Sequence, residues 1–174
     1  MLNVGIIGIG NTGNQVAALA QERLNVPVLA INSSDKDLET ISENIPRKLI
    51  SSKDNSSQGA GKDRKLAKKY LKDSIKALLS DAEVVGMIKD LNVLFIVSST
   101  GGGTGSGTAP IMADIISKTF RSVKTILVGV LPVNSEALSS HVNTLEYMNE
   151  LYTACAPVRS HPLLPLHWYK GQNI

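Results

Sequence analysis

The sequence predicts a three-layer α/β fold, in which a mostly parallel sheet lies between two layers of helices. Short apolar runs rich in β-branched residues recur at 3–9, 26–31, 93–99 and 125–131, which is typical of strands buried on both faces. Helical patterns separate these runs, and strands that alternate with helices form parallel sheets with right-handed crossovers. A chain of 174 residues, of which 43% are hydrophobic, can build one full core, so we expect one main domain.

The composition disfavours several classes of protein. The formal net charge of +3 and the pI near 9.0 are too mild to indicate a nucleic-acid-binding protein. A single cysteine, Cys155, rules out an internal disulfide framework and agrees with a reducing compartment. The N-terminus lacks the regions of a signal peptide, and no apolar run approaches the roughly 20 residues that span a bilayer. We therefore expect a cytoplasmic protein without membrane contact.

The first strand, 3–9, runs into the sequence GIGNTG and then into a helix. Apolar residues on one side of that helix predict its buried face: Val16, Leu19, Ala20 and Leu24. The order strand, GxGxxG, helix is also the pattern of an NAD-binding Rossmann site, which needs an acidic residue after the second strand to hold a ribose. The second strand, 26–31, is followed instead by Asn32-Ser33-Ser34, with Asp35 further on. An NAD-dependent oxidoreductase therefore remains only an alternative.

A short helix at 36–41, an edge strand at 46–50 and a polar loop at 51–61 follow. The loop leads into Gly59-Ala60-Gly61-Lys62, which looks like the end of a Walker A phosphate loop. It departs from that motif because the first glycine is missing and Asp63 stands where Ser or Thr would hold magnesium. Small residues beside a lysine could still contact a terminal phosphate, and the alternative is an ordinary surface loop.

A long helix is predicted to begin at Asp63, and a shorter one covers 83–88. The predicted buried side of the long helix consists of Leu66, Tyr70, Ile75, Leu78 and Leu79. Its outer side carries Lys65, Lys68, Lys69, Lys72 and Lys76. This basic stripe indicates a solvated helix face, and contact with DNA or a neighbouring subunit is the alternative.

The most informative stretch is the glycine-rich run between the strand at Val93 and the next helix. Its residues are Gly101, Gly102, Gly103, Thr104, Gly105, Ser106 and Gly107. With so little side chain, their backbone N–H groups can turn toward one point, and the following helix adds the positive end of its dipole. Pro110 fits the first turn of that helix, and a flexible linker would have no reason to precede such a turn. The run therefore predicts an anion site for a phosphate group.

The last predicted strand, 125–131, is also apolar and leads into PVNSE and another helix. Core residues of that helix are predicted to be Leu138, Val142, Leu145, Met148 and Tyr152. Glu136 comes at the carboxyl end of the strand, where open α/β sheets bind their ligands. Its carboxylate is suited to accept hydrogen bonds from a ribose, and the alternative is a favourable charge near the start of a helix.

The run GGGTGSGTAP resembles the signature of the tubulin/FtsZ superfamily, whose members bind GTP and polymerise. The similarity continues in chain order over about 3–152. GIGNTGNQ resembles the first nucleotide loop of the superfamily, AINSSDKDL the loop after its second strand, GAGKDRK its third loop and VGVLPVNSEALSSHVNTL its fifth. The third and fifth loops look closer to the TubZ branch of plasmids and phages than to cell-division FtsZ. FtsZ would have a Glu-Gly pair and a later Arg here. Glu136 matches that Glu, whereas Ala137 and Ser140 take the places of the Gly and the Arg.

The resemblance implies a guanine-nucleotide site and assigns residues to it. Contacts with the phosphates or the base would come from Gly10, Asn11, Asn14 and Gln15. The phosphate end would be flanked by Asn32 and Ser33, and the terminal phosphate would be sensed by Gly59, Ala60, Gly61 and Lys62. The α- and β-phosphates would be wrapped by the glycine-rich run, 101–107, and the ribose would be held by Glu136.

The resemblance also implies a function. GTP or GDP would bind with Mg²⁺, and the full-length protein would assemble head to tail into open protofilaments. Members of the TubZ branch move plasmid or phage DNA through a DNA-binding adaptor protein, so this is the predicted role. An FtsZ-like cell-division GTPase is the alternative within the family. An NAD-dependent oxidoreductase and a DNA-binding adaptor that ignores GTP are the alternatives outside it.

Full-length relatives are longer, and the resemblance implies that they continue into a catalytic loop with acidic residues and a second domain. This sequence shows no such loop, so we expect it to bind GTP or GDP but to hydrolyse GTP poorly, and we predict no catalytic residue. We expect a GTP-binding domain over 1–153 and an atypical tail over 154–174, with a last strand at 163–169 and a guanine contact at Asn173. The three histidines show no ligand spacing, so we predict no metal site built from them.

Overall fold

The computed structural model of the chain describes residues 2–52 and 58–155. Each predicted strand and helix up to Cys155 is present within a few residues of its expected place, and the predicted tail strand and Asn173 lie outside the described residues. In chain order the elements are β1 (Val4–Ile9), α1 (Gly10–Leu24), β2 (Val28–Asn32), α2 (Asp35–Glu39), β3 (Arg47–Leu49), α3 (Arg64–Ser80), α4 (Ala82–Lys89), β4 (Val93–Ser99), α5 (Thr104–Thr119), β5 (Lys124–Val130) and α6 (Leu138–Cys155).

The strands pair in parallel in the order β3-β2-β1-β4-β5. The predicted three-layer α/β fold is therefore confirmed. The chain builds outward from β1 in one direction to β3, and then returns to add β4 and β5 on the other side. The order reverses between β1 and β4, and in open α/β sheets ligands bind at the carboxyl ends of the strands at such a point.

Two hydrophobic cores lie on opposite faces of this sheet. Neighbouring residues of a strand point to opposite faces, so Ile7 and Ile6 of β1 belong to different cores. The larger core joins the sheet to α3, α4, α5 and α6 and includes Leu94 and Ile116. The smaller core joins it to α1 and α2 through Ala17 and Leu38. This arrangement places α1 and α5 on opposite faces of the sheet, with both helices beginning at its carboxyl edge.

Glycines allow α1 to lie directly on the sheet. A Cβ atom at Gly13 would lie 2.2 Å from the Val97 carbonyl oxygen of β4. A Cβ atom at Gly8 would lie 2.4 Å from the Gly13 carbonyl oxygen. Both obstacles are backbone atoms, so no side chain could be accommodated without moving α1 away from β1 and β4.

The predicted buried face of α1 is wrong at three of its four residues. Val16, Leu19 and Leu24 are exposed, whereas Ala20 packs at the edge of the smaller core. The buried positions of the helix are Gly10, Gly13, Asn14 and Ala17. The helix lies so close to the sheet that small residues occupy its inner side. The apolar periodicity therefore marks the outer side of α1.

β5 also differs from the prediction of a strand buried on both faces. It pairs with β4 alone among the described strands, so it is one of the two edge strands of the described sheet. Val128 and Val130 are each 38% exposed. The apolar run correctly identifies the strand, but its burial depends on neighbours that the run itself does not specify.

The predicted core side of α6 is wrong at four of its five residues. Leu138, Val142, Leu145 and Tyr152 are exposed, whereas Met148 packs against the larger core as predicted. The helix docks instead through Ser140, Asn143 and Tyr147, which are buried. Burial raises the pKa of the Tyr147 phenol, so this contact is made by a neutral side chain. The inner side is polar because it meets the backbone of two loops, as the next subsection describes.

Pro110 lies inside α5 and not in its first turn, because the helix already begins within the glycine-rich run. Proline has no N–H to donate to the carbonyl four residues earlier, which belongs to Ser106. Nη2 of Arg64 donates to that carbonyl instead, at 2.9 Å. The Arg64 side chain is 2% exposed and also pairs with Glu146 and Glu150, each at 2.8 Å. This guanidinium therefore joins α3, α5 and α6.

The two predicted faces of α3 are confirmed in outline. Tyr70 and Leu78 are buried, and Leu66 and Ile75 pack at the edge of the larger core. The stripe is solvated at Lys65, Lys69, Lys72 and Lys76. Lys68 is the exception, because its ammonium pairs with Glu150 of α6.

Candidate functional site

A cleft of about 410 Å³ opens at the carboxyl ends of β1, β2 and β4. It occupies the place where the strand order reverses. Most of the predicted contact residues line it: Gly10, Asn11, Asn32, Gly59, Ala60, Gly61, Lys62, Gly101, Gly102, Gly103, Thr104, Gly105 and Glu136. The fold therefore brings five separate segments of the chain to one site.

Two helices begin at this cleft without a side-chain cap. The residues that precede α1 and α5, Ile9 and Gly103, make no capping hydrogen bond with a side chain. By contrast α2, which also begins at the cleft, is capped by the side chain of Ser34, and α3 and α4 are capped by those of Asp63 and Asp81. The first turn of a helix has N–H groups without intrahelical partners, and the helix dipole makes this end positive. Two uncapped N-termini at one cleft form a site suited to an anion.

The glycine-rich loop lies against the end of β1. A Cβ atom at Gly105 would lie 2.8 Å from the Ile9 carbonyl oxygen. Gly10 has a φ of +74°, a left-handed conformation that glycine adopts without strain, and its own Cβ would lie 3.1 Å from the Gly105 nitrogen. The N-termini of α1 and α5 therefore touch through their backbones, which brings the two sets of free N–H groups together.

The loop that carries Lys62 forms the facing wall. Gly59, Gly61 and Lys62 all have positive φ, of 83°, 52° and 67°. A positive φ is unusual for a residue with a side chain, and such strain is often found at functional sites. The N–H of Gly59 donates to the Ser33 carbonyl at 3.0 Å, which fastens this loop to the end of β2.

Lys62 brings a positive charge to the cleft. Its Nζ donates to Ser140 Oγ on α6 at 2.8 Å. Gly103 lies directly beneath the lysine backbone, since a Cβ there would be 2.8 Å from the Lys62 nitrogen. The lysine loop and the glycine-rich loop are thus in backbone contact, and an anion between them would meet both N–H groups and an ammonium.

Three acidic or amide side chains complete the lining. Nδ2 of Asn32 donates to Asp37 Oδ2 at 3.1 Å, and the Ser33 N–H donates to Asn32 Oδ1 at 2.8 Å. Glu136 is exposed and accepts a hydrogen bond from the Val133 N–H at 3.2 Å. Its carboxylate keeps free acceptor capacity toward the cleft, as a contact to sugar hydroxyls would need.

Five predicted contact residues do not line the cleft: Asn14, Gln15, Ser33, Ser106 and Gly107. Asn14 is buried, and its Oδ1 accepts from the Ile31 N–H at 3.2 Å. The hydroxyls of Ser33 and Thr104 are hydrogen-bonded to each other at 2.7 Å. A Cβ atom at Gly107 would lie 2.7 Å from the Arg64 carbonyl oxygen, so this glycine lets α5 pack against α3. Apart from Gln15, which is exposed, these residues lie behind the residues that line the cleft and support them.

Sequence reasoning missed several residues of the site. The additional lining residues are Ile9, Thr12, Ser34, Asp37, Gln58 and Ser99. The pattern of Ser34 followed three residues later by Asp37 is a helix-start signal, and it could have placed both at the end of β2. Asn143, which contacts both loops from α6, carries no such signal in the sequence.

Within the two described ranges, no group of His, Cys, Asp and Glu side chains could hold a metal ion. In the same part of the chain, no helix is both long and apolar enough to cross a bilayer. His161 and His167 lie outside the described residues.

The sequence matches the Tubulin/FtsZ family, GTPase domain, over residues 3–158. It is 32% identical over 153 residues to the cell division protein FtsZ of Buchnera aphidicola, covering 85% of this chain and 37% of that protein. It is 28% identical over 150 residues to the tubulin-like protein TubZ of Clostridium botulinum C phage, covering 83% of this chain and 38% of that protein.

A solved structure shares the fold. The GTPγS-bound protofilament of CetZ2 from Haloferax volcanii superposes with a TM-score of 0.77 at 23% identity, covering 88% of this chain and 47% of that chain. The chain spans about 40% of the length of the curated relatives that it matches.

Proposed function

This chain belongs to the tubulin/FtsZ family, and from that premise we propose that it binds GTP and GDP in the cleft at the carboxyl ends of β1, β2 and β4. The observation that carries the proposal is the meeting of two uncapped helix N-termini, those of α1 and α5, with the Lys62 ammonium at one cleft. A polyphosphate is the ligand that such a set of donors fits. CetZ2, which shares the fold, is a GTPγS-bound protofilament.

The glycine-rich loop and the start of α5 hold the α- and β-phosphates in this proposal. A Cβ at Gly103 would meet the Lys62 backbone and one at Gly105 the Ile9 carbonyl, so these glycines let the segments pack closely and bring their backbone N–H groups together. Hydrogen bonds from an N–H to an ionised oxygen are about twice as strong as neutral ones. Ser33, which does not line the cleft, supports the loop through the hydrogen bond between its hydroxyl and that of Thr104.

The Lys62 loop meets the terminal phosphate. Lys62 is tethered to Ser140, at the position where the FtsZ pattern has an arginine. Lys62, which belongs to the facing loop, therefore places a positive charge beside this position. The ammonium can leave the Ser140 hydroxyl for a phosphate oxygen because the charge-assisted bond is the stronger of the two.

Glu136 holds the ribose, since its carboxylate lies at the cleft and accepts hydrogen bonds. Mg²⁺ binds together with the nucleotide in this proposal, because magnesium is usually bound by one or two carboxylates, by phosphate oxygens and by its own waters. Asp37 is a carboxylate of the cleft suited to that role.

Turnover by this chain alone is slow in this proposal. Among the described residues, the carboxylates that line the cleft are Asp37, bonded to Asn32, and Glu136, bonded to the backbone of the 133–136 turn. In this proposal Asp37 is assigned to Mg²⁺ and Glu136 to the ribose, so neither is assigned to a water molecule at the terminal phosphate. Hydrolysis then depends on acidic residues contributed by a neighbouring subunit of a longer protein.

The biological role that we propose is positioning of plasmid or phage DNA in the cytoplasm by a TubZ-like filament, acting with a DNA-binding adaptor. The lysine of GAGKDRK supports it, because in the structure this side chain lies at the cleft beside Ser140. Head-to-tail contacts between subunits are open-ended and so extend into filaments. A cell-division role like that of FtsZ is the second candidate, favoured by the 32% identity to the Buchnera aphidicola protein.

Isothermal titration calorimetry of the chain with GTP, GDP, ATP and NAD tests the nucleotide proposal. We expect saturable binding of GTP and GDP, weaker binding of ATP and none of NAD. Binding of NAD in preference to GTP would replace the proposal with the dinucleotide alternative. Absence of binding by all four nucleotides would refute it.

A further inference from the structure

Asn143, on the buried side of α6, ties the two loops of the cleft together. Its Nδ2 lies 3.0 Å from the Lys62 carbonyl oxygen, 3.2 Å from that of Gly101 and 3.0 Å from that of Gly102. An amide has two hydrogens on this nitrogen, so the three carbonyls share them. Asn143 is buried and does not line the cleft. It holds the backbone around the site and does not reach a ligand itself.

The glycine-rich loop has several other anchors. The Ser106 hydroxyl donates to the Gly102 carbonyl, and the Gly107 N–H donates to the Gly103 carbonyl at 3.0 Å. The Gly101 N–H donates to Ser99 Oγ at 3.3 Å. These bonds lie within α5 and the end of β4 and do not involve α6, so they remain when the Asn143 amide is lost.

The Lys62 end of the other loop depends more strongly on α6. Two of its contacts come from that helix, the bond from Asn143 to the Lys62 carbonyl and the bond from Lys62 Nζ to Ser140. The third is a turn, in which the Asp63 N–H donates to the Ala60 carbonyl at 2.7 Å. With a φ of 67°, Lys62 also holds a conformation that its neighbours must maintain.

We infer that Asn143 is a positioning residue that sets the preference of the site for a nucleoside triphosphate over a diphosphate. The inference rests on the proposed function, in which Lys62 meets the terminal phosphate and the glycine-rich loop meets the inner ones. Loss of the amide frees the Lys62 backbone and leaves the glycine-rich loop held by its own bonds. Triphosphate affinity therefore falls while diphosphate affinity is largely kept.

The test compares the affinities of GTP and GDP by calorimetry in the full chain and in two variants, Asn143→Ala and Asn143→Ser. Asn149→Ala is the matched control, because Asn149 is exposed on the same helix. We expect the GTP affinity of Asn143→Ala to fall about tenfold, as the loss of one net hydrogen bond implies, with GDP affinity little changed. Asn143→Ser keeps one donor and should lie between Asn143→Ala and the unmodified chain, and the control should match the unmodified chain.

Thermal melting without nucleotide separates this role from a general role in folding. Equal losses of GTP and GDP affinity, or an unchanged ratio of the two, would overturn the inference. Failure of both Asn143 variants to fold would also overturn it, because the residue would then serve the fold. If the unmodified chain binds neither nucleotide, the proposed function itself fails. Normal binding by that chain with an unchanged ratio in Asn143→Ala refutes only this inference.

Discussion

Replacing Gly103 with alanine is expected to weaken GTP binding through a purely steric effect. Gly103 has a φ of −88°, which alanine adopts freely, so the backbone conformation itself is not strained by the change. The new Cβ would lie 2.8 Å from the Lys62 nitrogen, 2.9 Å from the Lys62 Cα and 3.1 Å from the Ala60 Cβ. The glycine-rich loop and the Lys62 loop must therefore move apart.

The size of the effect follows from these distances. Ordinary van der Waals contact begins at 3.4 Å, so the shortest contact requires a separation of about 0.6 Å, the difference between 3.4 and 2.8 Å. That displacement is enough to break one hydrogen bond to an ionised phosphate, which contributes about 1.5–3 kcal/mol. Affinity for GTP should fall by about tenfold to a hundredfold. Overpacking of this kind also lowers the free energy of unfolding by about 1–3 kcal/mol.

Calorimetry with GTP measures the affinity, and urea unfolding without nucleotide measures the stability. Gly86→Ala in α4 is the matched control, because no atom lies within 4 Å of its new Cβ. In a helix interior this change should raise stability by about 0.5–1 kcal/mol and leave GTP binding unchanged. If Gly103→Ala binds GTP as tightly as the unmodified chain, the two loops do not jointly hold the phosphates and the reasoning is refuted.

Three other perturbations test separate parts of the account. Lys62→Gln removes the ammonium at the cleft and should weaken GTP binding more than GDP binding by calorimetry; equal effects would contradict a contact with the terminal phosphate. Arg64→Met leaves the Ser106 carbonyl unpaired and should lower the free energy of unfolding in urea by about 1–3 kcal/mol. In the double variant, Pro110→Ala supplies an N–H that can donate to that carbonyl, so part of the lost free energy of unfolding should return. If the effects of the two substitutions on the free energy of unfolding simply add, this expectation is wrong. A hydrogen bond from Lys48 and backbone N–H bonds keep the pKa of Asp81 below its ordinary value of 3.8, so the stability from this group is present above that value and lost as pH falls below it. Asp81→Asn should flatten the acid limb of a stability profile measured between pH 2 and 6, and an unchanged limb would contradict the assignment.

Much of the fold could be predicted because its signals are local. Apolar runs mark β1, β2, β4 and β5, and Asp63 and Asp81 begin α3 and α4 as side-chain caps. The glycine-rich run predicted an anion site, and the structure puts it at a cleft with an uncapped helix N-terminus. These features depend on neighbours in the sequence and can be read without knowing the packing.

The orientation of helices could not be predicted in the same way. Periodicity shows that α1 and α6 have an apolar stripe, but most residues of both stripes are exposed, and of the predicted ones Ala20 and Met148 pack against a core. The inner side of α1 consists of small residues because its backbone touches the sheet at Gly13. The inner side of α6 is polar because Asn143 bonds to loop carbonyls far away in the sequence. Such contacts between distant segments leave no trace in a hydrophobic pattern.

The predicted nucleotide contacts also include some whose orientation the sequence predicts and some whose orientation it does not. Gly103 and Lys62 line the cleft as predicted, because a loop that joins a strand to a helix at the carboxyl edge of the sheet must lie there. Asn14 and Ser106 come from the same motifs but point into the protein. The place of a residue in a motif predicts which part of the fold it lies in. Whether its side chain points to the cleft or into the protein depends on its position around the helix.

A crystal structure of this chain with GDP bound tests the central claim most directly. The account predicts the β-phosphate within hydrogen-bonding distance of backbone N–H groups in the glycine-rich run, at the start of α5, with the ribose beside Glu136. A nucleotide bound outside the cleft, or phosphates held without these N–H groups, would contradict it.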